Sequence, residues 1–217
     1  MRLDIHTNQR LSELLRGLIL GKRIIAKRDE VSDRPYFRDA ELKKVYRRVY
    51  GGVGWPSVQA QGCAVIVAED LYNDHEAGTR MMNILETVYD PDPHGLIEHV
   101  AALQDSFCRL DWYGNTDSAW MRILADKNRE LFHQHRASIT IHKPPVFDSS
   151  DKFGVYSQLL KARVGGGIKT FHFNNSGTAM DFSQIIGDPS QMDEDRFPGA
   201  AAVLYAIAAM DFRRLPE

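Results

Sequence analysis

The sequence has few cysteines, no long apolar run and almost no net charge. Its two cysteines, Cys63 and Cys108, lie in strand-like apolar contexts and are too few for a disulfide framework or a cysteine zinc site. No stretch approaches the roughly 20 apolar residues that span a bilayer, and the N-terminus lacks the apolar run of a secretory signal. A formal charge of -2 argues against a surface that is basic throughout, so nucleic acid would bind at a local patch. These features predict a cytoplasmic protein without a membrane partner.

The composition is that of an ordinary globular protein, and one nucleotide-binding motif is incomplete. A chain of 217 residues, 43% hydrophobic and 26% charged, is long enough for one substantial core. The run Gly165-Gly166-Gly167-Ile168-Lys169-Thr170 is similar to a phosphate-binding loop, but the glycine that should precede the lysine is missing. The run also lies between a predicted helix and a predicted strand, which is the reverse of the required order. We therefore interpret it as a helix stop.

The first 50 residues show helical spacing and no strand pattern. Leucines at i, i+3, i+4 and i+7 predict a helix over residues 11–18, and the apolar spacing over residues 42–49 predicts a second. Gly51-Gly52 would end the second helix, because glycine accepts the left-handed conformation found at helix C-termini. The sequence therefore predicts a helical linker or docking arm over residues 1–50, followed by a separate domain over residues 51–217.

The pattern changes to strands after residue 51. Two apolar runs, residues 63–68 and 81–89, are joined by a polar turn, and helix and strand patterns then alternate. Predicted helices cover residues 96–107, 120–131, 156–160 and 199–211, and predicted strands cover 108–113, 138–141 and 168–173, with a turn at 174–177. This order predicts an α/β fold in which an antiparallel meander continues into parallel βα units, with helices on both faces of a mixed sheet.

Carboxylates follow two of these strands and precede the last helix. Asp70 follows the first strand, the run Cys108-Arg109-Leu110 leads into Asp111, and Asp193 and Asp195 precede the alanine-rich helix. Two magnesium or manganese ions about 3.5–4 Å apart require such carboxylates, at least one of which bridges both ions. Each acid also has an ordinary explanation, because acids are common at strand ends and negative charge is favourable at helix N-termini.

Several short motifs occur in an order that is typical of one family. They are Arg34-Pro35-Tyr36-Phe37, Gly52-Val53-Gly54-Trp55, Ala64-Val65-Ile66-Val67-Ala68-Glu69-Asp70, Arg109-Leu110-Asp111, and a closing run from Asp193 to Ala201 with Leu204-Tyr205-Ala206. This succession resembles the ribonuclease H-like nuclease domain of phage large terminases, the motors that cut and package viral DNA. The resemblance covers residues 34–212, and the order and spacing of the motifs carry most of its weight.

The resemblance implies a ribonuclease H-like fold and a metal-dependent DNA endonuclease that hydrolyses phosphodiester bonds. Asp111 would bridge two Mg²⁺ or Mn²⁺ ions, because the fourth strand of the family ends in a metal-binding acid. Asp70 and Asp195 would complete the catalytic set, and Asp193 would be a further metal ligand. The implied partners are double-stranded DNA, a packaging ATPase domain and a portal. A phage origin would place the protein in the host cytoplasm.

Two departures from the family pattern favour a second hypothesis. The aspartate expected in the first strand falls on Gly54, and the acid expected at the start of the last helix falls on, or next to, Gly199. Glycine has no side chain with which to bind a metal. The chain could therefore be a degenerate, non-catalytic relative that binds DNA or a packaging partner. A third hypothesis is an unrelated α/β domain in which the acids are structural.

Basic residues are concentrated near the N-terminus. They form the pairs Lys22-Arg23, Lys27-Arg28, Lys43-Lys44 and Arg47-Arg48, and a basic helix face of this kind would contact DNA phosphates. Acidic residues are interleaved with them and dilute the positive field, so a solvated helix face is the competing interpretation.

Overall fold

An eight-stranded mixed sheet forms the centre of the computed structural model, which describes residues 23–29, 35–71, 79–107, 110–144 and 152–212. Its strands are β1 (Ile24–Arg28), β2 (Pro35–Asp39), β3 (Val45–Gly54), β4 (Gly62–Asp70), β5 (Arg80–Asp90), β6 (Asp111–Gly114), β7 (Ile141–His142) and β8 (Lys169–Phe173). The helices are α1 (Pro93–Ser106), α2 (Met121–His133), α3 (Lys152–Gly165), α4 (Ser176–Gly187) and α5 (Pro198–Phe212), with a short 3-10 turn at Pro189–Gln191. Within these ranges, every helix is too short or too polar to cross a membrane.

The strand order confirms the predicted fold class. Strands β3, β4 and β5 form an antiparallel meander, and β6 and β7 extend it in parallel from the other side of β3. The resulting order β5-β4-β3-β6-β7 is the ribonuclease H-like arrangement. Two additions enlarge it, since β8 pairs in parallel with β5, and β1 and β2 pair antiparallel beside the N-terminal part of β3.

Each face of the sheet is covered by its own hydrophobic core. On one face, α5 packs against β3, β4 and β6, and α3 and α4 pack near β8, around a core that includes Val65, Val67 and Met82. On the other, α1 and α2 cover Val49, Ala64 and the side chain of Trp112, among others. Helix α5 is buried over almost its whole length, which its alanine-rich sequence permits because small side chains allow a close approach to the sheet.

The helix predicted over residues 42–49 is wrong, because this segment enters β3. A register shift between Tyr46 and Arg48 marks a bulge in the pairing of β3 with β4. The extra residue of a bulge changes the phase of the strand, so Tyr46 and Val49 both enter the core beneath α1 and α2. Their three-residue spacing imitates a helix. The predicted domain boundary after residue 50 falls inside β3, and the other predicted N-terminal helix lies outside the described residues.

Most other predicted elements are confirmed, but strands β1 and β2 and one helix were missed. Strands β4, β5 and β8 and helices α1, α2, α3 and α5 lie where the apolar patterns placed them. The triple glycine does stop α3, and Gly167 adopts a positive φ of 69° there. The turn predicted over residues 174–177 is instead the start of α4, where the Asn175 side chain accepts a hydrogen bond from the Thr178 amide.

Candidate functional site

The C-terminal ends of β3 and β6 meet at one edge of the sheet, and α5 begins over the same edge. The parallel register of the two strands pairs Val53 with Gly114, so Gly54 and Asn115 follow at the same edge. The first residue of α5, Pro198, lies against Gly54. The family pattern expects metal ligands at three positions of this chain, which are Gly54, the end of β6 and Gly199. These three places do lie together, and we refer to them as the candidate edge.

The space beside β3 at the candidate edge is filled by the backbone of α5. A Cβ atom on Gly54 would lie within 3.0 Å of three backbone atoms of Pro198, closer than real side chains approach. Gly52 lies two residues earlier on the same face. A Cβ atom there would likewise be too close to the carbonyl group of Ala202. Helix α5 therefore runs along β3 in the opposite direction, at a distance that only glycine allows. The two glycines of the motif serve this close packing.

The side-chain space at Gly199 is also occupied. A Cβ atom there would lie 2.5 Å from the hydroxyl oxygen of Tyr89. That hydroxyl is fixed by a 2.7 Å hydrogen bond with Thr178 Oγ1 on α4. Burial is the main reason why the pKa of the Tyr89 phenol is raised, so the group remains neutral and acts as a packing and hydrogen-bonding element.

The polar groups that remain at the candidate edge form a hydrogen-bond relay around Glu194. Asn115 Nδ2 donates to Glu194 Oε2 at 3.2 Å, and the Tyr205 hydroxyl donates to the same oxygen at 3.1 Å. The Asp117 amide in turn donates to Asn115 Oδ1 at 3.0 Å. Burial, followed by the Glu194 charge, raises the pKa of Tyr205, so its hydroxyl stays protonated and keeps donating. This relay joins β6 to α5 through one carboxylate.

Two tryptophans close the candidate edge on its outer side. Trp55, which is 4% exposed, donates from Nε1 to the Asn115 carbonyl at 2.8 Å. Trp120 donates from Nε1 to the Pro56 carbonyl at 3.2 Å. Both indoles therefore tie the β3–β4 connection to the segment between β6 and α2. The edge is a packed junction of hydrogen-bonded groups.

Asp111 lies away from the candidate edge. The predicted strand over residues 108–113 placed Asp111 near the end of a strand, but Asp111 is the first residue of β6 and pairs with Tyr50. Strands rise about 3.3 Å per residue, so Asp111 is roughly 13 Å along the sheet from the level of Gly54. Asn115 is the residue that follows the end of β6, and sequence reasoning missed it because the start of a four-residue strand carries no distinct pattern.

Asp70 lies still further from the candidate edge. It is the last residue of β4, which runs antiparallel to β3, so Asp70 pairs with Tyr46 near the opposite end of β3. The offset from Gly54 is roughly 25 Å at the rise of an extended strand. Asn83 Nδ2 donates to its carboxylate at 2.8 Å. Burial raises the pKa of Asp70, and the nearby Lys44 opposes that effect.

Asp193 and Asp195 are near the candidate edge but are exposed to solvent. Asp193 Oδ1 accepts the Asp195 amide at 3.0 Å, which shapes the turn before α5. The Asp195 carbonyl, not its carboxylate, accepts a hydrogen bond from Ser57 Oγ. Glu194, between them, is the acid that turns inward. Its position between two acids indicated that the three side chains alternate in direction. The sequence alone does not say which of the alternating side chains point into the protein.

A second group of charged residues is buried at the far end of α5. Asp211 accepts hydrogen bonds from Tyr156 at 2.8 Å, from Arg163 at 2.7 Å and from Lys169 at 2.6 Å. We call these four residues the Asp211 cluster. The side chains of Asp211 and Lys169 are each only 3% exposed. Burial lowers the pKa of Lys169, and the Asp211 carboxylate opposes that effect. The cluster joins α3, β8 and α5.

Glu69 lies beside the Asp211 cluster as a buried carboxylate between two guanidinium groups. Its side chain is 3% exposed, and Arg48 Nε and Arg80 Nη1 each lie 3.7 Å from one of its oxygens. Arg48 also donates from Nη1 to the Met210 carbonyl near the C-terminus of α5. Positive charge at a helix C-terminus offsets the partial negative charge of the last carbonyls. These groups therefore hold the end of α5 against the sheet.

The described residues contain no group of three or more histidine, cysteine, aspartate or glutamate side chains that could hold a metal ion. The four acids predicted from the sequence are separated, since only Asp193 and Asp195 lie close to each other. No family model, no curated protein and no solved structure matches the chain.

Proposed function

We propose that this chain is a non-catalytic ribonuclease H-like domain that binds double-stranded DNA. The observation that carries the proposal is the packing of α5 on the candidate edge. Backbone atoms of Pro198 fill the side-chain space of Gly54, and the Tyr89 hydroxyl fills that of Gly199. The resemblance to phage terminases expects metal ligands at these two glycines. A metal pair at this edge would need both the ligands and the space.

The separation of the acids supports the same proposal. A two-metal site needs at least one carboxylate that bridges both ions. The metal-dependent endonuclease of the terminase type is the competing proposal, and it requires Asp70, Asp111, Asp193 and Asp195 to converge. Asp111 begins β6 beside Tyr50 and Asp70 ends β4 beside Tyr46, so the sheet itself keeps these two acids from the turn before α5.

The distribution of charge supports DNA as the partner. Residues 22–48 contain ten basic and five acidic residues, although the whole chain has a formal charge of -2. The excess of positive charge is thus concentrated in one segment, as expected for a local nucleic-acid contact. We propose a cytoplasmic role in DNA packaging, in which the ATPase domain and the portal are the further partners that the resemblance implies.

Duplex binding tests this proposal. We expect the protein to bind a fluorescein-labelled DNA duplex with a dissociation constant of about 1–100 µM near physiological salt, as is usual for contacts to phosphates alone. Fluorescence anisotropy should show binding in EDTA, and magnesium should not strengthen it, because no metal takes part in the contact. Affinity should fall as salt rises. An absence of binding, or binding that requires the metal, would contradict the proposal.

A further inference from the structure

We propose that duplex DNA docks on the open face of β1 and β2, away from the candidate edge. This face, which we call the β1–β2 face, is formed by Ile25, Lys27, Tyr36, Arg38 and Val45. The inference rests on the proposed function, for which it names the contact surface. It places the DNA phosphates against strands that lie beside the ribonuclease H-like core of the sheet.

The strand register places these residues on one face. Lys27 pairs with Tyr36, Ile25 pairs with Arg38, and Arg38 pairs in turn with Val45. Side chains alternate between the two faces of a sheet, so the intervening residues point the other way. Those residues include Ile24, Asp39 and Tyr46, each 0% exposed, and the partly buried Phe37. The β1–β2 face is therefore the side turned away from the core beneath α1 and α2.

No broad helix packing covers the β1–β2 face within the described ranges. The extensive contacts between helices and the sheet are made by β3, β4, β5, β6 and β8. Arg38 is exposed, and Lys27 and Tyr36 are half-buried. The face therefore presents two cations and a phenol to a ligand.

Two acids near this face, Asp39 and Glu41, are paired with Arg23. Asp39 Oδ2 lies 3.3 Å from Arg23 Nε, and Glu41 Oε2 lies 3.4 Å from the same nitrogen. Asp39 Oδ1 also accepts the amides of Glu41 and Leu42. Among the described residues, Lys27 and Arg38 have no carboxylate within ion-pair distance. Their positive charges are therefore available to an anionic ligand.

The spacing of the two cations suits a phosphate backbone. Lys27 and Arg38 are diagonal neighbours across β1 and β2, which places the two residues about 7–8 Å apart. Each DNA strand carries one phosphate per roughly 3.4 Å of helix axis, so this separation corresponds to about two phosphates along one strand. Arginine can donate two parallel hydrogen bonds to a phosphate, and a tyrosine hydroxyl can add another.

Charge and composition favour DNA over a protein partner. Two exposed lysines, Lys43 and Lys44, follow in the turn before β3 and extend the positive surface. Protein interfaces take most of their energy from buried aromatic or arginine anchors in apolar pockets. The apolar members of this face, Ile25 and Val45, are already half-buried and therefore offer little apolar surface to such an anchor.

A pair of charge-reversing variants tests the inference. We expect Arg38→Glu to weaken duplex binding by about tenfold or more and to reduce the salt dependence of the affinity, because it removes one phosphate contact and adds repulsion. Arg122→Glu is the matched control, since Arg122 is also exposed but lies on α2. It makes the same change in net charge and should alter affinity less than about twofold. Circular dichroism should show both variants folded.

The outcomes separate the contact surface from the proposed function. Equal losses of affinity in Arg38→Glu and Arg122→Glu would overturn the β1–β2 face as the contact surface. The proposal that the domain binds DNA would still stand. Unchanged duplex affinity in Arg38→Glu would also overturn it, and is what an acidic protein partner on this face predicts. Tighter binding of a single-stranded oligonucleotide than of the duplex would overturn the choice of ligand. No duplex binding by the wild type would overturn both proposals.

Discussion

Restoring the aspartate that the terminase pattern expects, by Gly54→Asp, should destabilise the protein and should create no metal site. A side chain at this position would collide with the Pro198 backbone, which cannot move without shifting α5 along β3. We expect the free energy of unfolding to fall by about 3 kcal/mol or more. The added side chain would meet backbone atoms, which cannot move aside as a flexible side chain can. For a domain of this size, the melting temperature should fall by about 6 °C or more.

Two further variants identify steric overlap as the cause. Gly54→Ala should be destabilised to a similar degree, because the overlap begins at Cβ and does not depend on charge. Gly165→Ala is the matched control, since Gly165 ends α3 with nothing within 4 Å of an added Cβ. Its stability should change by less than about 0.5 kcal/mol. A Gly54→Asp protein that melts like the wild type and binds manganese would contradict the packing account of the candidate edge.

Removing the carboxylate of Asp211 should lower the free energy of unfolding by about 3–5 kcal/mol. This is the usual effect of removing one partner of a buried ion pair. Asp211→Asn would leave the buried Lys169 ammonium without its anionic partner and would weaken the hydrogen bonds from Arg163 and Tyr156. Urea denaturation should measure the loss. Asp126→Asn, at an exposed ion pair with Arg129 on α2, should cost less than about 1 kcal/mol.

The stability of Asp211→Asn should recover as the pH rises. Burial already lowers the pKa of Lys169 below its ordinary value, and removing Asp211 removes the main opposing effect, so the pKa falls further. The unfolded chain then binds more protons than the folded chain between the folded pKa and the ordinary lysine value. Stability therefore increases with pH across that window. A deficit relative to the wild type that stays constant with pH would contradict the role given to Lys169.

The sequence predicted the sheet well where strands are long and regularly apolar. Residues of β4 and β5 fill the core on both faces, and such runs are visible without tertiary information. It failed at β3, because a bulge gave Tyr46 and Val49 the spacing of a helix. Gly51 and Gly52 reinforced that error, because they were interpreted as a helix end. They are glycines because Trp112 and Ala202 approach them closely, which a single sequence does not distinguish from a helix end.

The candidate site was less predictable than the fold, because it depends on register. The motifs led to Gly54 and Gly199, which do meet, but they selected Asp111 at the wrong end of a four-residue strand. The sequence analysis selected the two exposed acids, Asp193 and Asp195, and not Glu194 between them. Glu194 points inward because its carboxylate accepts hydrogen bonds from Asn115 and Tyr205. Only tertiary pairing carries that information.

The measurement that tests the central claim most directly is the fate of supercoiled plasmid DNA incubated with the protein and manganese or magnesium. We expect the plasmid to be bound and retarded but to remain supercoiled, because the described acids do not assemble a two-metal site at the edge that α5 covers. The Asp111→Ala variant should behave like the wild type. Metal-dependent nicking by the wild type that disappears in Asp111→Ala would contradict the account and establish a nuclease.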